Sequence, residues 1–308
     1  MHKVRSAITT LFLLLFGMFC LYIISVFSGL DIGEFVKVVF SIPFHLLSVW
    51  LLITLIEYTL QSVRFRIICG SSQPLKDFFL HYNIGHLIAF ISPSRAIGEL
   101  ARVFVFHKYL KISKERSLSS IVIERIFDII VLAFASLGIV SVLSNSYLPV
   151  AFLILALFLV VFLTNHSLHS FILALVPSKH LRDFTERYFL HSRELLNDKK
   201  SFLQLFMLSV LLWMLNFIRY WSILAYFSIQ IPFELSASIT SISYFAVMFS
   251  VFPGGLVFFE GAGTGLLSLI GYSPAIVLSA IFVERIFSYW LWIFIGMVAF
   301  TIKGIKLE

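Results

Sequence analysis

The chain has 308 residues, of which 60% are hydrophobic and only 13% charged, and its mean hydropathy is +1.00, which is too apolar for soluble domains. At about 20 residues per crossing, the apolar content allows at most about nine spans and excludes a single anchor carrying a soluble domain. The net charge of +7 is spread over short loops between apolar runs, with no continuous basic patch. It reads as a topology signal with some attraction to anionic headgroups, and no nucleic-acid partner is expected.

Taken in chain order, Lys3 and Arg5 precede an apolar run from Ala7 to Phe27. That run is too long for a signal-peptide core and has no small-residue cleavage site, so it is read as the first span. Further runs over 42–63, 118–143, 148–164, 202–228 and 276–300 bring the expected full crossings to six. Two other apolar regions, 78–110 and 235–271, are interrupted by Pro, Gly and charge, at Ile91-Ser-Pro-Ser-Arg-Ala-Ile-Gly-Glu99 and at Phe252-Pro-Gly-Gly-Leu-Val-Phe-Phe-Glu-Gly261. Each is expected to form a re-entrant hairpin of two short helices. Broken backbone at membrane depth survives only inside protein or along a wet cavity, which places both hairpins at the heart of the molecule.

With six alternating spans and two returning hairpins, seventeen basic residues fall on one side, Arg64 and Arg66 among them, and Lys37 alone falls on the other. By the positive-inside rule both termini are cytoplasmic and the expected location is the plasma membrane. Residues 165–200 are the long polar stretch. There Leu181, Phe184, Tyr188 and Leu195 recur at helical spacing against Arg182, Asp183, Glu186, Arg187, Arg193 and Glu194, as in an amphipathic helix lying on the cytoplasmic membrane surface. Cys20 and Cys69 are far apart, and His45, His81 and His86 lack ligand spacing, so neither a metal nor another cofactor is expected.

The two sides of this linker resemble each other. One reads Gln73-Pro-Leu, an apolar arm, Pro93, Glu99 and Val122-Ile-Glu-Arg-Ile-Phe127; the other reads Ile231-Pro-Phe, an apolar arm, Pro253, Glu260 and Phe282-Val-Glu-Arg-Ile-Phe287. Pro74 to Pro93 is 19 residues and Pro232 to Pro253 is 21; Glu99 to Glu124 is 25 and Glu260 to Glu284 is 24. In the assigned orientation the two halves are inverted. The reading is therefore one all-α polytopic domain over 1–308, with repeat one at about 42–143, the linker, and repeat two at about 202–300. Inverted repeats with broken helices and a midplane site are an architecture of secondary transporters.

Glu99, Arg102, Glu124, Arg125, Asp128, Arg219, Glu260, Glu284 and Arg285 all lie within or beside apolar segments. Each costs about 2.5–3.5 kcal/mol at the bilayer centre, so they need partners or water. One reading is mutual neutralisation, with Arg125 reaching Asp128 at i+3. The other is that the arginines hold a lipid phosphate while the glutamates position them or carry protons. Ser288 stands where Asp128 stands in the first half, so Arg285 is the better headgroup candidate, with Glu260 as its cross-hairpin partner. Arg95 and Arg102 flank the first break. Turns are assigned to Pro93, Gly98, Pro253, Gly254, Gly255 and Gly261, where the glycines permit tight turns and free helix N-termini that favour anions.

At these residues the chain resembles the lysylphosphatidylglycerol synthase transmembrane family, also called flippase-like domain proteins. The carriers are Arg64-Phe-Arg66, Pro93 with Gly98-Glu99-Leu-Ala-Arg102, Ser119-Ser-Ile-Val-Ile-Glu-Arg-Ile-Phe-Asp128, Pro253-Gly-Gly255 with Glu260, and Glu284-Arg285. The family's Pro-Gly-Arg turn is Pro93-Ser94-Arg95 here. The resemblance implies transbilayer movement of an anionic lipid, either a phospholipid or a polyprenyl-phosphate-linked glycolipid. In the aminoacyl-lipid synthases of this family a separate soluble domain follows; nothing after Glu308 supplies one, so no aminoacyl transfer is expected. The alternative is a non-transporting scaffold for an envelope lipid or glycan synthase docked through the 165–200 linker. An intramembrane enzyme using Glu99, Glu124 or Glu260 lacks a His-Asp pair, a metal motif or a nucleotide loop, so none is expected.

Overall fold

The computed structural model describes residues 31–92, 95–141, 178–248 and 252–303, together with Ser250 and scattered positions between 22 and 29 and between 150 and 170. Among the described residues all regular structure is helical. A short helix α1 (Ile32–Ser41) leads into α2 (Phe44–Ile68), which stops where Gly70 takes a positive φ of 55°. Pro74 opens α3 (Leu75–Ile91), and α4 (Arg95–Leu110) follows it. The Ser113 hydroxyl accepts the Arg116 N–H and caps α5 (Lys114–Ala135), which tightens into a 3₁₀ segment over Ser136–Ser141.

After α6 (Lys179–Asn197), the Asp198 carboxylate caps α7 (Lys199–Tyr226) by accepting from the N–H groups of Lys200 and Ser201. Then come α8 (Phe233–Met248), a single 3₁₀ turn at Pro253–Gly255, α9 (Phe258–Leu269), α10 (Pro274–Arg285), a π turn at Ile286–Trp290, and α11 (Leu291–Lys303).

Among the described residues three helical stretches are long and apolar enough to cross a bilayer: Phe44–Ile68, Lys199–Tyr226 and Pro274–Lys303. They answer to the expected spans 42–63, 202–228 and 276–300. The 118–143 span is represented by α5, whose Glu124, Arg125 and Asp128 are buried or half-buried in mid-helix. The expected spans 7–28 and 148–164 fall largely outside the described residues. Helix α7 shows its solvent plainly. Leu203, Met207, Leu211, Met214, Ile218 and Trp221 form an exposed apolar stripe, while Ser209, Asn216 and Arg219 are buried on the opposite face. That polarity suits lipid outside and polar packing inside.

Four successive helices pack in the same pairwise order twice. In the first set α2 touches α3 and α5, α3 touches α4, and α4 touches α5; in the second α7 touches α8 and α10, α8 touches α9, and α9 touches α10. Helices α2 and α7 lie against each other between the sets. Because lipid tails are as apolar as leucine, these contacts rely on close approach and hydrogen bonds more than on the hydrophobic effect. Gly98 seats α4 on the Ala89 backbone of α3, and Gly296 seats α11 on Asn83 and Leu87 of the same helix.

Three expectations need correction. Gly98 and Gly261 are not turn residues: each lies inside a helix, α4 and α9 respectively. Arg64 is not a cytoplasmic loop charge but a buried residue of α2. In α6 the buried stripe is Phe189, Ser192 and Leu196, packed on α5 and α7, while Leu181 stays exposed, so the helix leans on protein rather than only on a surface. The Ser192 hydroxyl meets that of Ser119 at 2.8 Å. Burial beside α5, with Arg116 nearby, pushes the His191 imidazole down to about 4.

Candidate functional site

The Glu-Arg pair of α5 sits in a dense ionic knot. Glu124 is fully buried and accepts from Arg64 (3.2 Å), Arg102 (3.3 Å), Arg125 (3.4 Å) and the Tyr82 hydroxyl (2.8 Å). Asp128 accepts from Arg64 at 2.7 Å, from Arg125 at 3.1 Å and from the Trp213 indole at 3.1 Å. Glu99 on α4 pairs with Arg102 at 2.5 Å and reaches Arg125 at 3.5 Å. The Arg102 guanidinium lies 5.2–5.5 Å from the rings of Phe65, Tyr82 and Phe106, which stand in for the water it has lost.

The Glu-Arg pair of α10 is held by a sparser set. Arg219 of α7 grips Glu284 through two bonds, at 3.1 and 2.9 Å, and also pairs with Glu57 of α2. Arg285 donates to Glu260 at 2.8 Å and to the Gly254 carbonyl at 2.8 Å. The second break is thus tied to the ion pair that follows it. Its backbone requires the glycines: Gly254 has φ 60°, and a Cβ there would lie 1.8 Å from the Tyr289 ring. Val257 also takes a positive φ of 76°, a strained conformation for a β-branched residue. The π turn after Arg285 frees the Phe287 carbonyl, which the Tyr58 hydroxyl takes.

Helices α2 and α7 connect the two sets reciprocally. Arg64 donates to Ser209 at 2.8 Å and Arg219 donates to Thr54 at 3.1 Å. Ser209 and Thr54 each stand ten residues before the arginine of their own helix, so the helices cross antiparallel with matched contacts.

Between the knots lies a cavity of about 310 Å³. Arg64, Arg125 and Arg285 line it with Glu57, Glu99 and Asp128, and its walls include His86, Trp213, Tyr244 and Trp292. Arg125 and Arg285, the arginines of the two Glu-Arg-Ile-Phe segments, therefore face one space. Among the described residues, Arg64 Nε, Arg125 Nε, Asn216 Oδ1 and Ser288 Oγ are buried polar atoms with no protein partner, and all four belong to residues lining the cavity. Such atoms call for water or a polar ligand.

Of the residues expected at a site, Glu99, Arg125, Asp128 and Arg285 line the cavity; Arg102, Glu124 and Glu260 are linked to them by the ion pairs above, and Glu284 pairs with Arg219, which also holds Glu57 of the cavity wall. Arg285 and Glu260 meet as the hairpin reasoning expected. Pro93 and the Arg95 side chain lie outside the described residues. Sequence reasoning missed Glu57, Gln61 and Asn216 on the cavity wall, and it left Arg219 without a role. Among the described residues no cluster of His, Cys, Asp and Glu is arranged to hold a metal ion.

Apolar helices of spanning length, two interrupted helices beside a charged internal cavity, and a lipid-facing exterior define a polytopic helical membrane protein. Comparison with known families makes this specific. Residues 4–296 match the family described as the lysylphosphatidylglycerol synthase TM region, and the chain belongs to that family. It is 22% identical to a UPF0104 membrane protein of Methanothermobacter thermautotrophicus over 90% of its own length and 89% of the relative's. To a second such protein of that organism it is 24% identical, covering 72% of this chain and 73% of the relative. A UPF0104 membrane protein of Methanocaldococcus jannaschii is 24% identical, with 98% of this chain and 97% of the relative covered. No solved structure matches the chain.

Proposed function

We propose that this chain moves a lipid with an anionic headgroup between membrane leaflets by alternating access, as a transporter and not as an enzyme. The observation that carries the reading is a cavity lined by both Arg125 and Arg285. These arginines occupy matching positions in the two four-helix sets, and in each set two short helices follow one another across a segment whose sequence carries a proline. The matched packing order and the reciprocal Arg64–Ser209 and Arg219–Thr54 contacts support an inverted repeat with α2 and α7 at its axis. Two such halves exchange shapes by symmetry, opening one central site to each side in turn.

In this mechanism the phosphate displaces a carboxylate from a guanidinium. Arg285 is the easier of the two to recruit, because among the described residues Glu260 is its one carboxylate partner, whereas Arg125 is held by Glu99, Glu124 and Asp128. A guanidinium holds phosphate through parallel N–H bonds, so the exchange preserves its geometry. The acyl chains remain outside against the exposed apolar stripes while the headgroup crosses through the cavity. In the orientation that the basic loops favour, both termini face the cytoplasm.

The test is reconstitution into liposomes containing a trace of fluorescently labelled phosphatidylglycerol, with dithionite added outside. The protein should speed loss of the protected fluorescence, and Arg285→Ala should slow it about tenfold, the equivalent of ~1.4 kcal/mol. A rate equal to that of protein-free liposomes overturns the proposal.

A further inference from the structure

The two knots differ in charge. Around Arg64, Arg102 and Arg125 stand Glu99, Glu124 and Asp128, three of each sign among the described side chains. Around Arg219 and Arg285 stand Glu57, Glu260 and Glu284, one carboxylate in excess. Since Arg285 holds Glu260, the surplus rests on Arg219, a fully buried guanidinium that faces both Glu284 and Glu57.

Glu57 is the odd member by position as well. Counting back seven residues from Arg64 on α2 gives Glu57, and the same step from Arg219 on α7 gives Leu212. The reciprocal contacts at Thr54 and Ser209 would be complete without any carboxylate at 57. Glu57 also differs from Glu284 in access: it lines the cavity, whereas Glu284 and Arg219 are not among its lining residues. Finally, Glu57 belongs to α2 and Arg219 to α7, so this ion pair spans the two four-helix sets.

The groups facing Glu57 come from every element around it. Arg219 of α7 holds it; Gln61, one turn on along α2, donates to it at 3.4 Å; and Tyr58 of α2, Tyr244 of α8 and Glu284 of α10 are its electrostatic neighbours. Across the cavity Arg64 is matched by Asp128, Arg125 by Glu99 and Arg285 by Glu260, while the His86 ring packs between Tyr82 (4.5 Å) and Trp292 (4.4 Å). No second guanidinium pairs with Glu57 among the described residues.

We infer that Glu57 is a proton-binding site that couples proton entry to movement of the lipid, an activity that rests on the translocation reading above. A surplus carboxylate in a low-dielectric interior is neutralised by taking up a proton. The proton comes from water in the cavity and adds to a carboxylate oxygen of Glu57. The Glu57–Arg219 pair then breaks, Arg219 keeps its two bonds to Glu284, and α2 loses its ionic tie to α7, so that the Arg64–Ser209 and Arg219–Thr54 hydrogen bonds alone oppose their separation. Deprotonated Glu57 ties the two sets together; protonated Glu57 lets them rock.

Liposomes with labelled phosphatidylglycerol, assayed across a pH series, test the coupling. The wild-type rate should rise as pH falls, by up to about tenfold per pH unit through the titration of one group. Glu57→Gln, a mimic of the protonated state, should be fast and flat with pH. It should also melt no lower than wild type, because it leaves Arg219 and Glu284 as a balanced pair. A flat wild-type profile overturns the inference, and so does a pH dependence that survives in Glu57→Gln, which would assign it to another group such as His86. A lower melting point for Glu57→Gln would make Glu57 a structural counter-ion.

A second readout separates this inference from the translocation reading. Infrared spectra of the purified protein should contain a protonated-carboxyl band that is lost on raising the pH and is missing in Glu57→Gln. Lipid movement without that band overturns the proton site alone. The band without lipid movement at any pH overturns translocation, and the coupling with it.

Discussion

From α2 to α5 three guanidiniums meet three carboxylates in a knot where every arginine has at least two acidic partners, whereas from α7 to α10 two guanidiniums are shared among three carboxylates, one of them lent by α2. The breaks differ in the same direction. Near the first, Arg102 is enclosed by aromatic rings and Glu99 bridges it to Arg125. At the second, the Gly254 carbonyl and the Tyr289 ring are braced on one arginine, and two glycines and a valine take positive φ. Redundancy makes the first half a fixed frame, and shared or strained contacts make the second half the part with somewhere to go.

Removing the matched glutamates is the strongest way to break that comparison. Glu124→Gln leaves three arginines against two carboxylates and should cost about 3–5 kcal/mol, seen as a large drop in melting temperature or loss of a monodisperse peak. Glu284→Gln leaves two against two and should cost less than half as much. Equal losses would show that the charge difference between the halves has no energetic meaning. A middle-sized effect is expected at the second break. Gly254→Ala meets both a positive φ and the Tyr289 ring and should destabilise by about 1–3 kcal/mol, whereas Gly261→Ala, inside α9 with open space around it, should be neutral or gain about 0.5–1 kcal/mol.

An effect seen only in acid lies outside both knots, at His191. Its folded value of about 4 is below the ordinary value of 6.5, so the unfolded chain binds the extra proton and the stabilisation is present above pH 6.5. It is lost as pH falls toward 4. The melting temperature of the wild type should therefore decline over that window more than that of His191→Gln, a difference that should vanish at pH 8.

What the sequence disclosed follows from locality. The Glu-Arg-Ile-Phe segments, the proline-bearing breaks and the Arg125–Asp128 spacing are short patterns, and Arg285 could be matched to Glu260 because the hairpin order put them close. Glu57, Arg64 and Arg219 are single charges in apolar helices whose partners stand 60 to 162 residues away, a separation no local pattern spans. Arg64 was further disguised by Arg66 and Lys76, whose loop-like grouping made it look like an orientation signal. Gly98 and Gly261 read as turn residues because a glycine near a proline suggests a bend, whereas Gly98 serves close helix packing on Ala89 and Gly261 is an ordinary helical position with open space around it.

The crossing of α2 and α7 has one more consequence. Each arginine reaches a hydroxyl on the helix that carries the other arginine, at equal offsets on either side of the contact. A slide of one helix along the other by a single turn would move both arginines off their hydroxyls at the same moment. Separation at this seam is therefore cooperative, an all-or-none event rather than a gradual one, and the seam sets a threshold that any motion between the two sets of helices has to exceed.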